Sequence, residues 1–589
     1  MNSCIDRSLV IFALCIFAVP SIASNLESVV RAVTTETKNG PIKGVVTTIP
    51  GRSDTVLQYR KVPFAKPPIG KLRFSKPEPY GAWGSELDAT EFGPSCMQGA
   101  TQYFHDKPNE DYSEDCLFLN IYAPSTPKDE KRPVMVWIHG GGFTVGQGMF
   151  YNASYMANTG DVVVVTINYR LGIFGFYSLN DPKVLGNYGL WDQIEALRWI
   201  NENIESFGGD KDSVTIFGES AGGFSVSLLS LIPSNRGLFH RVIAQSGTSM
   251  SPYANSPACA FASQAVTAYI GCHSDDLDAR LSCMREKSAE DLLQASSPKN
   301  FVFVKSDELH LILGMGPVVD GELFPDVPQN LLSNSYPDIV DFYKSLDVIA
   351  GTTSQEGSLL YILLAPPELQ EKHNFKLYEG IPTEVFQKLI VGTLVGTYYQ
   401  NNTGVWQAIA SRYTDTSSME AQSMRSVELY AVVFFVVPTI QSLIAHASEN
   451  HQGKTYQYNM ARVSPLPFGP PVPSWFKGCG HADDLLYLFG MEIKKLQGFS
   501  ISDEDITLAT QMMKYWTNFA RTGNPNLPKS EDLPVWPQFD GQSRLYMELD
   551  SPVQAKHGLV SEDVKFWTET VPTLLKSENH SHNTDREEL

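Results

Sequence analysis

The chain has 589 residues, of which 42% are hydrophobic and 19% charged, the composition of a globular protein with a large core rather than of a disordered or fibrous one. A formal net charge of −20 argues against nucleic acid as a partner, since phosphate binding needs a basic face and none shows.

Residues 1–23 read as a signal peptide. Leu9 to Val19 is a short apolar run after Arg7, and Ser21-Ile22-Ala23 offers small residues for cleavage after Ala23. Two of the eight cysteines, Cys4 and Cys15, leave with it. In an exported chain the others can pair. The short separations of Cys96 from Cys116 and of Cys272 from Cys283 suggest two closed loops, each adding about 3 kcal/mol by restricting the unfolded chain. Cys259 and Cys479 are left over, either paired with each other or, the preferred reading, as free buried thiols. Asn152, Asn401 and Asn579 head Asn-x-Ser/Thr sequons for N-glycosylation.

Thr35 to Thr48 predicts a hairpin around Asn39-Gly40, and Asp115 to Tyr122 a strand. Pro133 to Ile138 is an unbroken apolar run, as for a strand buried on both faces, and it ends at His139-Gly140-Gly141-Gly142-Phe143. Asp161 to Ile167 is another strand. Leu190, Ile194, Leu197, Ile200, Ile204 and Phe207 recur at steps of three and four, which predicts a helix with one buried stripe. Ser213 to Ile216 reads as a strand, Ser225 to Leu231 as the start of an apolar helix, and Arg241 to Gln245 as a strand ending at Ser246-Gly247. Ser249 to Pro317 reads as an irregular insertion. Val348 to Gly351 is a strand with Thr352 to Gly357 as the loop at its end. Leu359 to Ser448 is mostly helical, including a helix over Met419 to Val436, and the apolar run Tyr430 to Val437, which Pro438 ends well short of a membrane span, reads as core helix. A strand at Thr455 to Met460, a proline-rich run from Pro465 to Pro473, a helix at Ile506 to Arg521 and a strand at Ser543 to Leu549 follow. Residues 24–575 form a single domain and 576–589 a polar tail.

Between the strand and helix near residue 220 lies Phe217-Gly218-Glu219-Ser220-Ala221-Gly222-Gly223. A serine between glycines at a strand-to-helix turn is the nucleophile elbow of the α/β-hydrolases. Three glycines after the buried strand at residue 138 leave backbone N–H groups bare, as donors for an oxyanion. The expected class is therefore α/β, with a large, mostly parallel central sheet flanked by helices and helical insertions over the active site. In this fold the acid and then the base follow the serine along the chain. His481, in a glycine-bounded turn, suits the base. Glu356 suits the acid, with Asp320 in Val318-Val319-Asp320-Gly321 as the runner-up. His580 and His582 read as part of a solvated tail, and neither metal nor cofactor is expected.

These stretches resemble the type-B carboxylesterase and cholinesterase family from about Thr35 to Trp567. The motifs include Glu114 to Asn120, His139 to Phe143, Asn168 to Gly172, Gly186 to Gln193, Phe207 to Asp210, the elbow, and Asn518 to Pro525. The resemblance implies a triad of Ser220, Glu356 and His481, an oxyanion hole of the Gly141, Gly142 and Ala221 N–H groups, and Glu219 and Ser246 behind the triad. It also pairs Cys96 with Cys116 and Cys272 with Cys283. It implies hydrolysis of a small-molecule ester through an acyl-enzyme on Ser220. A choline-ester preference is disfavoured: the Cys96–Cys116 loop holds Tyr103, Phe104 and Tyr112 but no Trp, and Gly223 stands where cholinesterases have alanine. A neuroligin-like adhesion role is disfavoured by the intact triad and by the lack of a span. The terminal Arg586-Glu587-Glu588-Leu589 resembles a lumenal retention signal, placing the protein in the endoplasmic reticulum lumen or, failing retention, outside the cell.

Overall fold

Segments that are apolar on both faces make the centre of one large sheet. The structure, a computed structural model, describes residues 27–99, 112–296, 308–311, 313–466 and 472–576. The leader 1–23, Tyr103 and Phe104, residues 467–471 of the proline-rich run, Asn579, His580, His582 and the terminal tetrapeptide lie outside the described residues.

The sheet is built from β1 (Val29–Thr37), β2 (Gly40–Thr48), β3 (Thr55–Pro63), β4 (Phe118–Pro124), β5 (Arg132–Ile138), β6 (Val163–Ile167), β7 (Gly209–Glu219), β8 (Arg241–Gln245), β9 (Asp347–Thr353), β10 (Thr455–Met460), β11 (Leu545–Leu549) and β12 (Gln554–His557). A two-residue strand, Leu87–Asp88, pairs beside β2 and brings the total to 13. Their order in space is β1-β2-β3-β4-β6-β5-β7-β8-β9-β10-β11-β12. Every neighbour from β6 to β11 is parallel, and the flanking pairs are antiparallel.

Every residue of β5 is buried. Val134, Val136 and Ile138 enter the core on one face of the sheet, and Met135 and Trp137 enter the core on the other. Parallel strands need such covering on both sides. Helix α1 (Tyr188–Asn203) covers the first face with its Leu190, Ile194, Leu197 and Ile200 stripe and passes into a 3₁₀ turn at Ile204–Phe207. Helix α2 (Ala221–Leu229) lies on the same face and starts at Ala221 rather than Ser225, because one turn ends β7 and opens the helix. The insertion is more regular than the sequence suggests. It carries helices at Cys259–Tyr269, Leu277–Glu286 and Ala289–Ala295, the last two capped by Asp276 and Ser288 side chains. The Cys272–Cys283 disulfide ties the turn after the first of these helices to the second, and a Cys96–Cys116 disulfide closes the loop before β4.

Pro438 does not end its helix. Helix α3 runs unbroken over Met419–His446, 28 residues, with a π-helical turn at Val432–Val436 just before the proline. A proline removes the N–H that would bond the carbonyl four residues back, here that of Phe434. Ser251 Oγ donates to that carbonyl at 2.7 Å instead. Among the described residues α3 alone is long and apolar enough to cross a membrane, but 83% of its most apolar window is buried within the molecule, as for a core helix. Helix α4 (Asp503–Thr522) opens on a Ser502–Asp505 capping box, stops at Gly523, and covers the second face with Met512, Met513, Trp516 and Phe519.

Candidate active site

Parallel strands of this kind place their functional loops at the carboxyl ends. Register puts Gly218 of β7 beside Ile138 of β5 and Ala244 of β8, so the turns after all three strands meet at one level. At the end of β7, Ser220 takes φ 56° and ψ −121°. A non-glycine residue pays for this left-handed conformation, and the neighbours enforce it. Ser220 N–H donates to Gln245 O at 2.9 Å, and Phe224 N–H returns to Ser220 O at 2.8 Å. A Cβ on Gly222 would lie 1.9 Å from Ile138 O, and one on Gly218 2.6 Å from the same oxygen. These glycines let the turn press against β5.

The glycine turn after β5 rests directly on the elbow. A Cβ on Gly140 would lie 2.7 Å from Glu219 O and 3.1 Å from Ser220 Cβ. Gly141 and Gly142 have φ of 107° and 61°, open to glycine and strained for other residues. Among the described residues the N–H groups of Gly141, Gly142 and Ala221 enter none of the backbone hydrogen bonds of turns and loops. His139 is fully buried, stacks on Tyr169 with ring centroids 4.5 Å apart, and bonds Gly140 O through Nδ1 at 2.8 Å. Burial pushes its pKa down to about 4, so it is neutral and braces the turn.

Glu356 and His481 come from loops far apart in sequence that are joined by backbone and side-chain hydrogen bonds. Gln355 N–H donates to Cys479 O at 2.9 Å, His481 N–H to Ser358 Oγ at 2.8 Å, and Cys479 N–H to Ser354 Oγ at 3.2 Å. His481 Nδ1 donates to Glu356 Oε2 at 2.6 Å, which fixes the proton on that nitrogen because a carboxylate only accepts. The other oxygen of Glu356 accepts from Ser246 Oγ at 2.6 Å and Thr353 N–H at 2.7 Å. Ser246 itself sits at the end of β8 with φ 51°.

His481 Nε2 faces a second carboxylate. It lies 3.1 Å from Glu219 Oε1, a close charge approach rather than a hydrogen bond, since that oxygen has no hydrogen-bond partner. No hydrogen bond among the described residues joins Nε2 to Ser220 Oγ in this conformation. Burial alone would push the imidazole pKa down, but Glu219 and Glu356 together raise it to about 9. Burial raises Glu219 to about 8, and the charge of His481 limits the rise. The two groups are therefore coupled: the carboxylate favours the protonated imidazole, and the imidazolium favours the ionised carboxylate. Asp484, raised to about 6 by burial, adds a third carboxylate to the surroundings and is held by Gln245 Nε2 at 2.8 Å.

The runner-up acid is elsewhere. Asp320 accepts Asn187 Nδ2 at 2.8 Å and the N–H groups of Glu322, Leu323 and Phe324, so it organises its own turn. Cys259 and Cys479 are free and buried. The sequence reading missed Thr353 and Ser358, which act through a backbone N–H and a short hydroxyl and leave no pattern, and Phe435, whose ring lies 5.0 Å from that of His481. Asn401 is exposed. Asn152 is engaged instead, its amide donating to Glu27 Oε1 at 2.6 Å. Among the described residues no cluster of three His, Cys, Asp or Glu could hold a metal ion.

A doubly covered parallel sheet with a strained serine turn at the carboxyl end of a central strand defines an α/β-hydrolase. The chain matches the carboxylesterase family over residues 31–567 and belongs to it, a family of carboxylic ester hydrolases. It is 34% identical to liver carboxylesterase 1F of Rattus norvegicus over 93% of this chain and 95% of that one. It is 33% identical to the bile salt-activated lipase of Bos taurus, over 91% of this chain and 87% of that one. It is also 33% identical to the medium-chain fatty acyl-CoA hydrolase precursor of Anas platyrhynchos, over 93% of this chain and 94% of that one. The chain is thus an enzyme, a carboxylic ester hydrolase, and neither the cholinesterase nor the adhesion alternative is favoured.

Proposed function

We propose that this carboxylic ester hydrolase cleaves small to medium carboxylic esters through an acyl-enzyme on Ser220, with His481 as base and Glu356 as its carboxylate partner. The observation that carries this is the 2.6 Å bond from His481 Nδ1 to Glu356, whose other oxygen is already held by Ser246 and Thr353. A hydroxyl is a weak nucleophile until a base takes its proton, and such contacts often tighten only once substrate is bound. With substrate in place, His481 Nε2 turns from Glu219 to Ser220 Oγ and takes its proton as Oγ attacks the ester carbonyl. Glu356 stabilises the imidazolium so formed. The N–H groups of Gly141, Gly142 and Ala221 receive the oxyanion, each such donor contributing about 10²–10³ in rate. The tetrahedral intermediate collapses, the alcohol leaves with the proton from Nε2, and water repeats the sequence on the acyl-enzyme.

Relatives named for acyl-CoA and pyrethroid hydrolysis support a broad ester class. One sheet runs from Val29 to His557, which supports a single domain over 24–575. The two disulfides support the secretory pathway, and retention by the terminal tetrapeptide is the finer proposal within it. An ester panel run on the wild type and on Ser220→Ala, with covalent phosphonate labelling, tests the mechanism. Turnover confined to the wild type is expected. Equal turnover by both proteins would end the Ser220 assignment, and a strong preference for choline esters would overturn the substrate class.

A further inference from the structure

Helix α3 touches both partners of the acid–base pair. Near its middle, Val427 packs so closely on the residue after the acid that a Cβ on Gly357 would lie 1.8 Å from Val427 O. Eight positions further along the helix, Phe435 lies 5.0 Å from the His481 ring, centroid to centroid, and both side chains are buried. Phe435 belongs to the π turn Val432–Val436. Each residue of an α-helix turns the chain by about 100°, so a wider turn between Val427 and Phe435 changes the face on which Phe435 emerges. The turn is fastened from outside. Ser251 Oγ donates to Phe434 O, Tyr253 stacks on Phe434 at 4.5 Å, and the Tyr253 and Tyr430 hydroxyls bond at 2.6 Å. Phe435 is backed in turn by Phe224 of α2, at 6.1 Å.

We propose that Phe435 is a positioning residue: the π turn of α3 aims it at the His481 ring while the same helix holds the Glu356 loop through Gly357, so that one rigid element sets acid and base against each other. The proposal rests on the Ser220–His481–Glu356 reading. The charged groups that face His481 are Glu219 at the end of β7, Glu356 after β9 and Asp484 in its own turn, and α3 contributes only an apolar surface there. Without the ring, the imidazole loses a packing surface that opposes its tilting away from Glu356.

The test uses the full chain with Phe435→Leu, Phe435→Tyr and Ser251→Ala, the last removing the donor that secures the π turn without touching the site. Correct folding is checked by near-ultraviolet circular dichroism. Steady-state kinetics on a small acyl ester are read together with the far-downfield proton resonance of the His481–Glu356 hydrogen bond. Because a positioned base contributes about 10²–10⁴ in rate, Phe435→Leu and Ser251→Ala should each lower kcat about tenfold with KM within about twofold, and should weaken the resonance. Phe435→Tyr should restore both. If kcat holds within about twofold, or KM alone rises, Phe435 is not a positioning residue, while Ser220→Ala remains inactive. Turnover retained by Ser220→Ala would overturn the triad and this proposal together.

Discussion

Glu219 sits 3.1 Å from His481 Nε2, the proposed base, and replacing it with Gln removes a negative charge while keeping the shape. At an effective dielectric of about 20, two unit charges at that separation attract by about 5 kcal/mol. The measurable effect is smaller, because burial raises Glu219 to about 8 and keeps much of it protonated at neutral pH. An opposite charge at such range shifts a pKa by about 1–3 units. The sign follows from the proton. The imidazolium is favoured by Glu219 and Glu356, which raise His481 to about 9, and only the neutral ring can take the Ser220 proton. Activity therefore rises with pH through the His481 pKa. In Glu219→Gln that rise should move to lower pH by about 1–3 units, so the variant gains activity relative to the wild type on the acid side. The assay is kcat/KM against pH, which reports the free enzyme. A limb that stays in place, or one that moves to higher pH, would refute the view that Glu219 holds the proton on His481.

Ser246→Ala deletes the 2.6 Å donor to Glu356 Oε1, and a hydrogen bond to a charged group is worth about 1.5–3 kcal/mol. We expect kcat to fall about 10- to 100-fold with the fold intact, as read by steady-state kinetics beside circular dichroism. Gly223→Ala places a Cβ 2.4 Å from Gln245 O, a backbone atom that cannot move freely, and should cost about 1–3 kcal/mol as a lowered urea midpoint with an unchanged slope. Expression in a glycosylating host should give a mass loss on enzymatic deglycosylation that Asn401→Gln reduces. Asn152→Gln should not reduce it, since the Asn152 amide is engaged with Glu27.

Much of the site is legible before folding because its chemistry is local. A serine flanked by glycines after a buried strand marks the elbow, and Gly141 and Gly142 mark the adjoining turn, since only glycine suits φ of 107° and 61° without strain. Other features are relational. Asp320 and Glu356 both follow apolar strands and precede glycine, and only the folded chain turns one toward Asn187 and its own loop and the other toward His481. Gly223, read from sequence as a mark of ester preference, is required by contact with Gln245 and Gly247. Pro438 misled the reading of α3 because its missing donor is compensated by Ser251, a residue nearly two hundred positions away in the chain.

The sequence by itself determined the fold class, the strand and helix order that builds the parallel sheet, and the glycine-flanked serine turn at residue 220. Those depend on periodicity, glycine conformational freedom and burial, which are properties of neighbouring residues. Tertiary structure decided which carboxylate meets the imidazole, that Glu219 stands 3.1 Å from its other nitrogen, and that a π turn in a helix uninterrupted by proline brings Phe435 against it. These depend on groups distant in sequence brought within a few ångströms in a dry interior. There, unscreened charge shifts a pKa and a single hydrogen bond sets an orientation, which no local pattern encodes.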